Sequence, residues 1–240
     1  MSKIIIPARL NSKRLPRKPL IDINGLPMII KTALNATEAV GSDNVFVATD
    51  SQEIINCCNS HNVNSILTSE SCLTGTDRVI EAAKKLSLKK IYNLQGDEPL
   101  FPSKIIKKFI SETCDSEYPV DMGITRVKNI NELKSPKIPK VVFNNKKELM
   151  YTSRSNIPGA KNMDNVIGFK QVCIYKYNIE KLSKYIINES KTFFESIEDL
   201  ELLRMLELDI SVKCRYLNYQ DHFSIDTPED LFNLKKFLKK

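Results

Sequence analysis

The stretch KIIIPARLNSKRLPRKPL, residues 3–20, decides the fold because an apolar run leads directly into a basic loop. The apolar residues at 3–8 predict a short buried strand. In open α/β sheets, ligands bind beyond the carboxyl ends of the strands. Cations clustered at that position favour a polyphosphate ligand, and a solvated basic loop is the alternative. The loop contains these cations and no acidic residue: Arg9, Lys13, Arg14, Arg17 and Lys18.

The rest of the first half alternates short apolar runs with amphipathic segments, an order that predicts a parallel sheet with helices on both faces. The crossovers are expected to be right-handed. The predicted strands are 3–8, 44–49, 63–68 and 90–95, and the predicted helices are 27–40, 51–60, 77–86 and 103–113.

After residue 120 the pattern changes to hairpin strands and shorter helices. The sequence Thr227-Pro228-Glu229-Asp230 starts a last helix, with a capping residue, proline and acids in the first turn. We predict one mixed α/β domain with a smaller second-half subdomain. Strands are predicted at 122–127, 141–143, 148–153, 172–177 and 212–217, a turn at 144–147, and helices at 179–187 and 197–208.

Composition excludes several classes of protein. The 240 residues are 42% hydrophobic and 27% charged, which is typical of a globular domain. The net charge of +7 suits nucleic acid, but the basic loop directly after a strand points to a smaller ligand. No apolar run reaches the ~18–20 residues of a membrane span, and no signal peptide is present, so we expect a cytoplasmic protein away from membranes.

Cysteine usage agrees with that location. The six cysteines form no C-x-x-C pair and the chain has only two histidines, so a zinc site is not expected. Reduced, structural thiols are the interpretation for a cytosolic chain.

Two carboxylates follow the same strand-end logic as the basic loop. Asp97, in Gln95-Gly96-Asp97-Glu98-Pro99, ends the fourth predicted strand, and Asp226 stands just before the last helix. Taken alone, Asp97 fits an acidic turn and Asp226 a helix cap. Mg²⁺ binds one or two carboxylates together with substrate phosphates. With the basic loop, the pair predicts a metal–triphosphate site.

The motifs of the whole chain, taken in order, resemble the sugar-acid cytidylyltransferases, and most closely the CMP-Kdo synthetase (3-deoxy-manno-octulosonate cytidylyltransferase) family. The resemblance covers nearly the full length. It rests on IIPAR at 5–9, RLP at 14–16, KPL at 18–20, ING at 23–25, VATD at 47–50, TGTDR at 74–78, QGDEP at 95–99, KVV at 140–142, SR at 153–154, IP at 157–158, IY at 174–175 and IDTPEDL at 225–231.

The resemblance implies an enzyme that activates an acidic sugar. The anomeric hydroxyl of the sugar attacks the α-phosphorus of CTP, and pyrophosphate leaves. It implies a three-layer, Rossmann-like and GT-A-like, mostly parallel sheet with a smaller second-half dimerisation subdomain, in a homodimer. The single domain 1–240 then comprises a nucleotide-binding half (1–120), a sugar-binding and dimerisation part (121–215), and a metal-binding loop with the C-terminal helix (216–240).

The same resemblance implies the site residues. Arg9, Arg14 and Lys18 would hold the phosphates, and Asp97 and Asp226 would hold Mg²⁺; of these, Arg9, Lys18, Asp97 and Asp226 are the expected catalytic set. The nucleotide would also contact Thr74, Thr76, Arg78 and the backbone beside Ala8. The sugar side is implied to include Gln95, Arg154, Gln171, Tyr175, Glu198 and Leu202, with Arg154 forking onto a carboxylate.

Departures from the family pattern concern the acceptor more than the nucleotide. Arg17 stands where the family loop usually has Gly, Gln171 where it has His, and Leu202 where it has Gln; the segment between Pro158 and Gln171 is short. A lost polar partner can switch substrates by orders of magnitude. The acceptor is therefore expected to be Kdo or a Kdo-like acid, with 8-amino-Kdo, a nonulosonic acid or a phosphonate as alternatives.

Three other functions fit parts of the pattern. A GT-A-like glycosyltransferase would hold its metal with an Asp-x-Asp motif, which the chain lacks. A non-enzymatic nucleotide sensor would not need both carboxylates. A nucleic-acid binder would show salt-dependent affinity for DNA or RNA.

Overall fold

The computed structural model describes residues 2–12, 14–159, 168–188, 190–219 and 224–238. Lys13 of the basic loop lies outside the described residues, as do 160–167 of the short segment. The chain forms two compact units. Unit 1 comprises Met1–Ser111 with Asp221–Lys240, and unit 2 comprises Glu112–Gln220. The predicted single domain and its boundaries at 120 and 215 stay predictions.

Unit 1 is an alternation of strands and helices. Its strands are β1 (Ile4–Ala8), β2 (Asp22–Ile23), β3 (Leu26–Pro27), β4 (Val45–Thr49), β5 (Asn64–Leu67) and β6 (Lys90–Leu94). Its helices are α1 (Met28–Val40), α2 (Gln52–Ser60), α3 (Gly75–Lys85), α4 (Ser103–Thr113) and, from the C-terminal stretch, α9 (Pro228–Leu238), with 3₁₀ turns at Lys18–Leu20 and Ser42–Asn44.

The sheet of unit 1 is parallel, in the order β6-β1-β4-β5. Strand β1 lies in the middle with every residue buried, as a continuous apolar run predicts for a strand covered on both faces. Ile4 is in register with both Val45 and Tyr92. The parallel β-α order expected from the sequence is confirmed, and it brings the loops after β1, β4 and β6 to one edge of the sheet.

Local signals set the ends of the helices. Helix α3 begins at Gly75, earlier than predicted, because the Thr74 hydroxyl accepts the N–H of Asp77 and caps it. A hairpin of β2 and β3 was not predicted. It turns through Asn24 and Gly25, both at positive φ (54° and 88°), as this residue pair allows.

The C-terminal stretch belongs to the core of unit 1. Ile225 and Leu234, each at most 1% exposed, pack in one cluster with Leu15, Ile23 and Met28. Burial of these apolar side chains holds α9 against the segment that carries the basic loop.

The strands of unit 2 pair in mixed orientation. Strand β7 pairs with β11 in parallel and with β10 in antiparallel; β8 pairs with β10 and β9, both antiparallel. The elements are β7 (Val120–Arg126), α5 (Ile130–Lys134), β8 (Lys140–Phe143), β9 (Leu149–Ser153), β10 (Phe169–Asn178), α6 (Ser183–Ile187), α7 (Phe193–Glu198), α8 (Glu201–Glu207) and β11 (Val212–Tyr216), with a 3₁₀ turn at Ile179–Lys181.

Two predicted helices of unit 2 were wrong in extent. The segment 179–187 is a 3₁₀ turn followed by α6, and 197–208 is the end of α7 followed by α8. The break between α7 and α8 lies at Asp199, whose φ of 51° is left-handed and ends a helix. Helix α7 starts at the capping box of Thr192 and Glu195, which the prediction overlooked. Helix α5 was also not predicted.

Within the described ranges, no helix is both long and apolar enough to span a bilayer.

Candidate active site

Three side chains converge at the edge of the unit 1 sheet. Asp97 follows β6, Asp226 precedes α9, and Lys18 begins the 3₁₀ turn after the basic loop. The Lys18 Nζ lies 2.8 Å from Asp97 Oδ2 and 2.8 Å from Asp226 Oδ1. The backbone N–H of Ile225 donates to the Asp97 carbonyl at 3.1 Å, so the two acidic loops are joined directly. The structure thus brings together three residues that are far apart in sequence.

The cluster is balanced in charge. Burial lowers the pKa of Lys18, but the Asp97 and Asp226 carboxylates outweigh it and hold the pKa above its ordinary value. Arg14 adds a second cation, with its Nη2 3.1 Å from Asp226 Oδ1, and this arginine is 60% exposed. Two cations therefore face two carboxylates.

The donor set fits a divalent, oxygen-preferring cation. Since both carboxylates reach one Nζ atom, their oxygens converge on one point in space. Across the described ranges, no cluster offers three or more His, Cys, Asp or Glu ligands to a metal. Mg²⁺ commonly takes only one or two protein carboxylates and completes its shell with phosphates and water. Asp97 and Asp226 would be the protein ligands.

Gly96 fixes the place of Asp97. A Cβ atom on Gly96 would lie 2.8 Å from the Pro7 carbonyl oxygen, closer than real Cβ contacts allow. The backbone segment after β6 therefore approaches the end of β1 so closely that only glycine fits at position 96. Ala8 is buried at the end of β1, and Arg9, the next residue, is exposed where a ligand can reach it.

The predicted nucleotide segment 74–78 has mainly internal contacts. Arg78 is 3% exposed and donates to Asp50 and to the Thr68 hydroxyl, both at 2.6 Å, so it ties the loops after β4 and β5 together. Thr74 caps α3, and Thr76 is buried. Contact of this segment with a nucleotide stays a prediction.

The basic loop is anchored to α2 by an ion pair that the sequence analysis did not foresee. Arg17 has a φ of 57° and pairs with Glu53 of α2. A left-handed backbone is the conformation that glycine adopts without strain, which fits the glycine that the resemblance implies at this position. Nothing in the sequence signalled the pairing with Glu53.

The predicted sugar-side residues lie in two places. Gln95 is half-buried after β6 in unit 1, and the others are in unit 2. Gln171 donates to the Tyr175 hydroxyl, and burial raises the pKa of Tyr175 well above its ordinary value. Glu198 accepts from Ser153 Oγ at 2.5 Å.

Leu202 and Arg154 complete the predicted set in unit 2. Leu202 is 3% exposed. The Arg154 backbone N–H donates to Glu198 at 2.8 Å. Its guanidinium donates to the backbone carbonyls of Pro136, Glu198 and Asp199 at 2.6–3.2 Å. A guanidinium has five N–H donors, and the structure directs three of them at the protein frame. Recognition of a sugar carboxylate by Arg154 stays a prediction.

Unit 2 contains a buried ion pair between α7 and α8. Arg204 is fully buried and forms two 2.7 Å hydrogen bonds to Glu195. Its guanidinium also lies 4.4 Å from the Tyr185 ring centroid. The spacing of Thr192 and Glu195, which is typical of a capping box, was the sequence signal that could have predicted Glu195 in the first turn of α7.

Comparison with known proteins identifies the family of the chain. The chain matches the cytidylyltransferase family model over residues 3–212. It is 36% identical to the 3-deoxy-manno-octulosonate cytidylyltransferase of Polynucleobacter necessarius, covering 99% of this chain and 95% of that protein. It is 34% identical to the 8-amino-3,8-dideoxy-manno-octulosonate cytidylyltransferase of Shewanella pealeana, covering 95% and 94%.

A solved structure shows the same fold. It is that of CMP:2-keto-3-deoxy-manno-octonic acid synthetase complexed with CTP, with a TM-score of 0.89 and 31% identity over 99% of this chain and 98% of that one. The expected α/β nucleotidyltransferase fold is thereby confirmed. The chain belongs to the cytidylyltransferase family, as a nucleotidyltransferase of the 3-deoxy-manno-octulosonate cytidylyltransferase kind.

Proposed function

We propose that the protein transfers CMP from CTP to the anomeric hydroxyl of a 3-deoxy sugar acid, Kdo or a Kdo-like acid, and releases pyrophosphate. The convergence of Lys18, Asp97 and Asp226 beside the exposed basic loop carries the proposal, because it combines phosphate-binding cations with a two-carboxylate metal site. The full-length relatives supply the identity of the nucleotide and the class of acceptor.

The cations of unit 1 would position the triphosphate. Arg9 and Arg14 are exposed at the strand edge, so their guanidinium groups can donate to phosphate oxygens. Lys18 is held close by, at the start of its 3₁₀ turn. Phosphoryl chemistry of this kind depends mostly on positioning and on neutralising charge as it develops.

The two carboxylates would hold Mg²⁺. When bound, Mg²⁺ polarises a phosphoryl oxygen and lowers the pKa of an attacking hydroxyl. Asp97 is placed for this by the close approach at Gly96, and Asp226 by the first turn of α9. In that first turn Asp230 accepts the backbone N–H groups of Asp226 and Thr227, which fixes the Asp226 loop.

Two sugar acids are candidates for the acceptor: Kdo is the first and 8-amino-Kdo is the second. One full-length relative is named for Kdo and another for the 8-amino sugar, at 36% and 34% identity. Gln171 and Leu202 stand where the family usually has other residues, so the sugar pocket differs in its polar groups. We favour Kdo because relatives named for Kdo reach 36% and 38% identity, above the 34% of the relative named for the 8-amino sugar.

Two further proposals concern the oligomeric state of the protein and the compartment in which it acts. Exposed apolar side chains of β9 and α7, Met150 (62% exposed), Phe193 (70%) and Ile197 (66%), support a homodimer through unit 2. If Ile197→Lys sediments as a monomer, this result would support the β9 and α7 face as the dimer interface, and an unchanged dimer would exclude it.

All six cysteines are free thiols, which suits a reaction in the cytosol that supplies CMP-sugar for lipopolysaccharide or another surface glycan.

The test is pyrophosphate release from CTP and Mg²⁺ with a panel of acceptors: Kdo, 8-amino-Kdo, N-acetylneuraminic acid and a phosphonate. Asp97→Ala is the control. Turnover with Kdo that is lost in the variant is the expected result. Turnover with another acid alone would keep the mechanism and change the substrate. Failure to bind CTP would overturn the proposal.

A further inference from the structure

We propose that Lys18 is the resident counter-cation of Asp97 and Asp226, and that a divalent metal reaches these carboxylates only when a nucleotide triphosphate has drawn Lys18 away. The proposal deepens the proposed function and rests on it for the identity of the nucleotide. It concerns the order in which metal and nucleotide bind, which neither the fold nor the two-carboxylate arrangement fixes by itself.

Geometry provides the first argument. The Lys18 Nζ lies 2.8 Å from a carboxylate oxygen of each acid, at the point where the two acids converge. This is the position from which a single ion could contact both Asp97 and Asp226. Lys18 is only 14% exposed, so water screens the contact weakly. A metal ion and this ammonium group therefore compete for the same place.

Charge provides the second argument. The formal charges of Lys18 and Arg14 cancel those of Asp97 and Asp226, so the cluster is neutral without metal. A divalent ion added to it would face an ammonium at short range and leave an excess of two positive charges. That addition is unfavourable in a partly buried site.

We assign the competition with the metal ion to Lys18 rather than to Arg14. Arg14 is 60% exposed and contacts Asp226 alone, at 3.1 Å. Ion pairs that exposed contribute little because solvent screens them. Lys18 contacts both acids and is held by the start of its 3₁₀ turn, where Pro19 follows.

A triphosphate resolves the competition. Its oxygens give Lys18 and Arg14 anionic partners outside the carboxylate pair, and they bring ligands that complete the shell of a metal ion. Metal and nucleotide then bind with positive coupling, and each raises the affinity of the other by the same factor. The enzyme accepts the metal as part of the metal–nucleotide complex.

The test is titration of the nucleotide-free protein with Mn²⁺, with free Mn²⁺ read by electron paramagnetic resonance. Wild type is expected to bind weakly. Lys18→Met removes the competing charge and should tighten Mn²⁺ binding roughly tenfold to a hundredfold. Lys18→Arg keeps the charge and should stay weak. Lys3→Met, a neutralised lysine whose Nζ donates to the Asp43 carbonyl, is the matched control and should also stay weak.

Several outcomes would overturn the proposal. One is a folded Lys18→Met with unchanged Mn²⁺ affinity; another is a Lys3→Met that gains as much Mn²⁺ affinity as Lys18→Met does. Lys18→Gln serves if Lys18→Met does not fold, as judged by near-ultraviolet circular dichroism. If the gain in Mn²⁺ affinity persists in the double variant Lys18→Met/Asp97→Asn, the ion binds at a site other than the Asp97 and Asp226 pair. Because the titration contains no acceptor, a failed transferase assay would not imitate any of these results.

Discussion

Charged side chains serve different purposes in the two units. In unit 1 they stand at the carboxyl ends of parallel strands and contact other side chains, such as Lys18 with Asp97. These contacts can be exchanged for contacts with a ligand. In unit 2 several charged groups are turned inward: Lys176 and Arg215 both bond the fully buried Asp121.

Backbone carbonyls are the other partners in unit 2. Lys140 donates to the carbonyls of Ser135 and Arg154 at 2.7 and 2.6 Å. Such bonds replace water for groups that folding has buried, and losing them exposes the full desolvation cost. The ionic groups around Lys18 in unit 1 are therefore the ones that we propose for chemistry, whereas the buried ionic groups of unit 2 hold the frame. Substitutions in each unit can contradict or refine this distinction.

The largest effect is expected in unit 2, from Arg204→Met. Glu195 would keep its charge while losing both 2.7 Å bonds, and an unpaired buried charge costs about 3–5 kcal/mol. Urea unfolding measures this loss. Lys184→Met, which removes an exposed pair with Asp209, should change stability by less than about 0.5 kcal/mol. A small loss in Arg204→Met would mean that unit 2 does not depend on its buried charges.

In unit 1, Asp226→Asn should reduce kcat by about 10²–10³-fold, the scale of losing one preorganised electrostatic group. Stability should change little, because the side chain is 32% exposed. Asp22→Asn, which changes an exposed residue of β2, is the control and should retain activity. A near-normal kcat in Asp226→Asn would remove this carboxylate from the chemistry.

Arg154→Met tests the border between the two kinds of role. Three carbonyls would lose their donor, so we expect about 1–3 kcal/mol less stability. A raised KM for the acceptor with unchanged stability would instead make Arg154 a ligand-binding residue, as the sequence predicted. Chemical denaturation and acceptor titration together separate the two results.

A pH-dependent effect is expected at α7. Partial burial acts to raise the pKa of Glu207, but hydrogen bonds from the Thr192 hydroxyl and the N–H groups of Phe194 and Glu195 outweigh it, and the pKa falls below its ordinary 4.5. A carboxyl group whose pKa is lowered by folding stabilises the folded protein at pH values above its unfolded-state pKa. This stabilisation is lost as the pH falls through the folded-state pKa.

Glu207→Gln should therefore cost about 1 kcal/mol near neutral pH. The difference from wild type should shrink as the pH drops below about 4.5, the ordinary value. Unfolding at several pH values measures it. A difference that is constant with pH would show that the carboxylate charge is not responsible.

The smallest effect is expected for Arg17→Gly. Glycine adopts the positive φ without strain, while the exposed pair with Glu53 is worth only about 0–1 kcal/mol. The two changes nearly cancel, so stability should stay within about 1 kcal/mol. A larger fall, seen by thermal unfolding, would mean that this surface pair is as structural as those of unit 2.

Sequence patterns predicted unit 1 better than unit 2 for a physical reason. The buried run of β1 and the capped helix α2 depend on local signals, apolar continuity and the Ser51 cap, that are visible in the chain. Helix α7 has a local signal in its capping box, but its first turn is also capped by Glu207 from a distant position, a contact that leaves no local pattern. The left-handed backbone of Asp199, which breaks α7 from α8, also has no local pattern, so this break was not foreseen.

The site shows the same division. The basic loop and Asp97 could be found because they follow β1 and β6, and the order of the motifs added Asp226 and the expected ligands. The internal roles of Arg78 and Arg154 could not be found, because a sequence does not show whether a guanidinium meets a ligand or its own backbone. Contacts between Lys18 and the acids required the fold itself.

The return of the chain to unit 1 has a consequence for protein synthesis. Asp97 and the basic loop are made early, but Asp226 leaves the ribosome only after the whole of unit 2. Domains fold as they emerge, starting from the N-terminus. A nascent or prematurely terminated chain that stops within unit 2 therefore holds the basic loop and Asp97 but lacks Asp226, so the cluster of Lys18, Asp97 and Asp226 is complete only in molecules translated through both units.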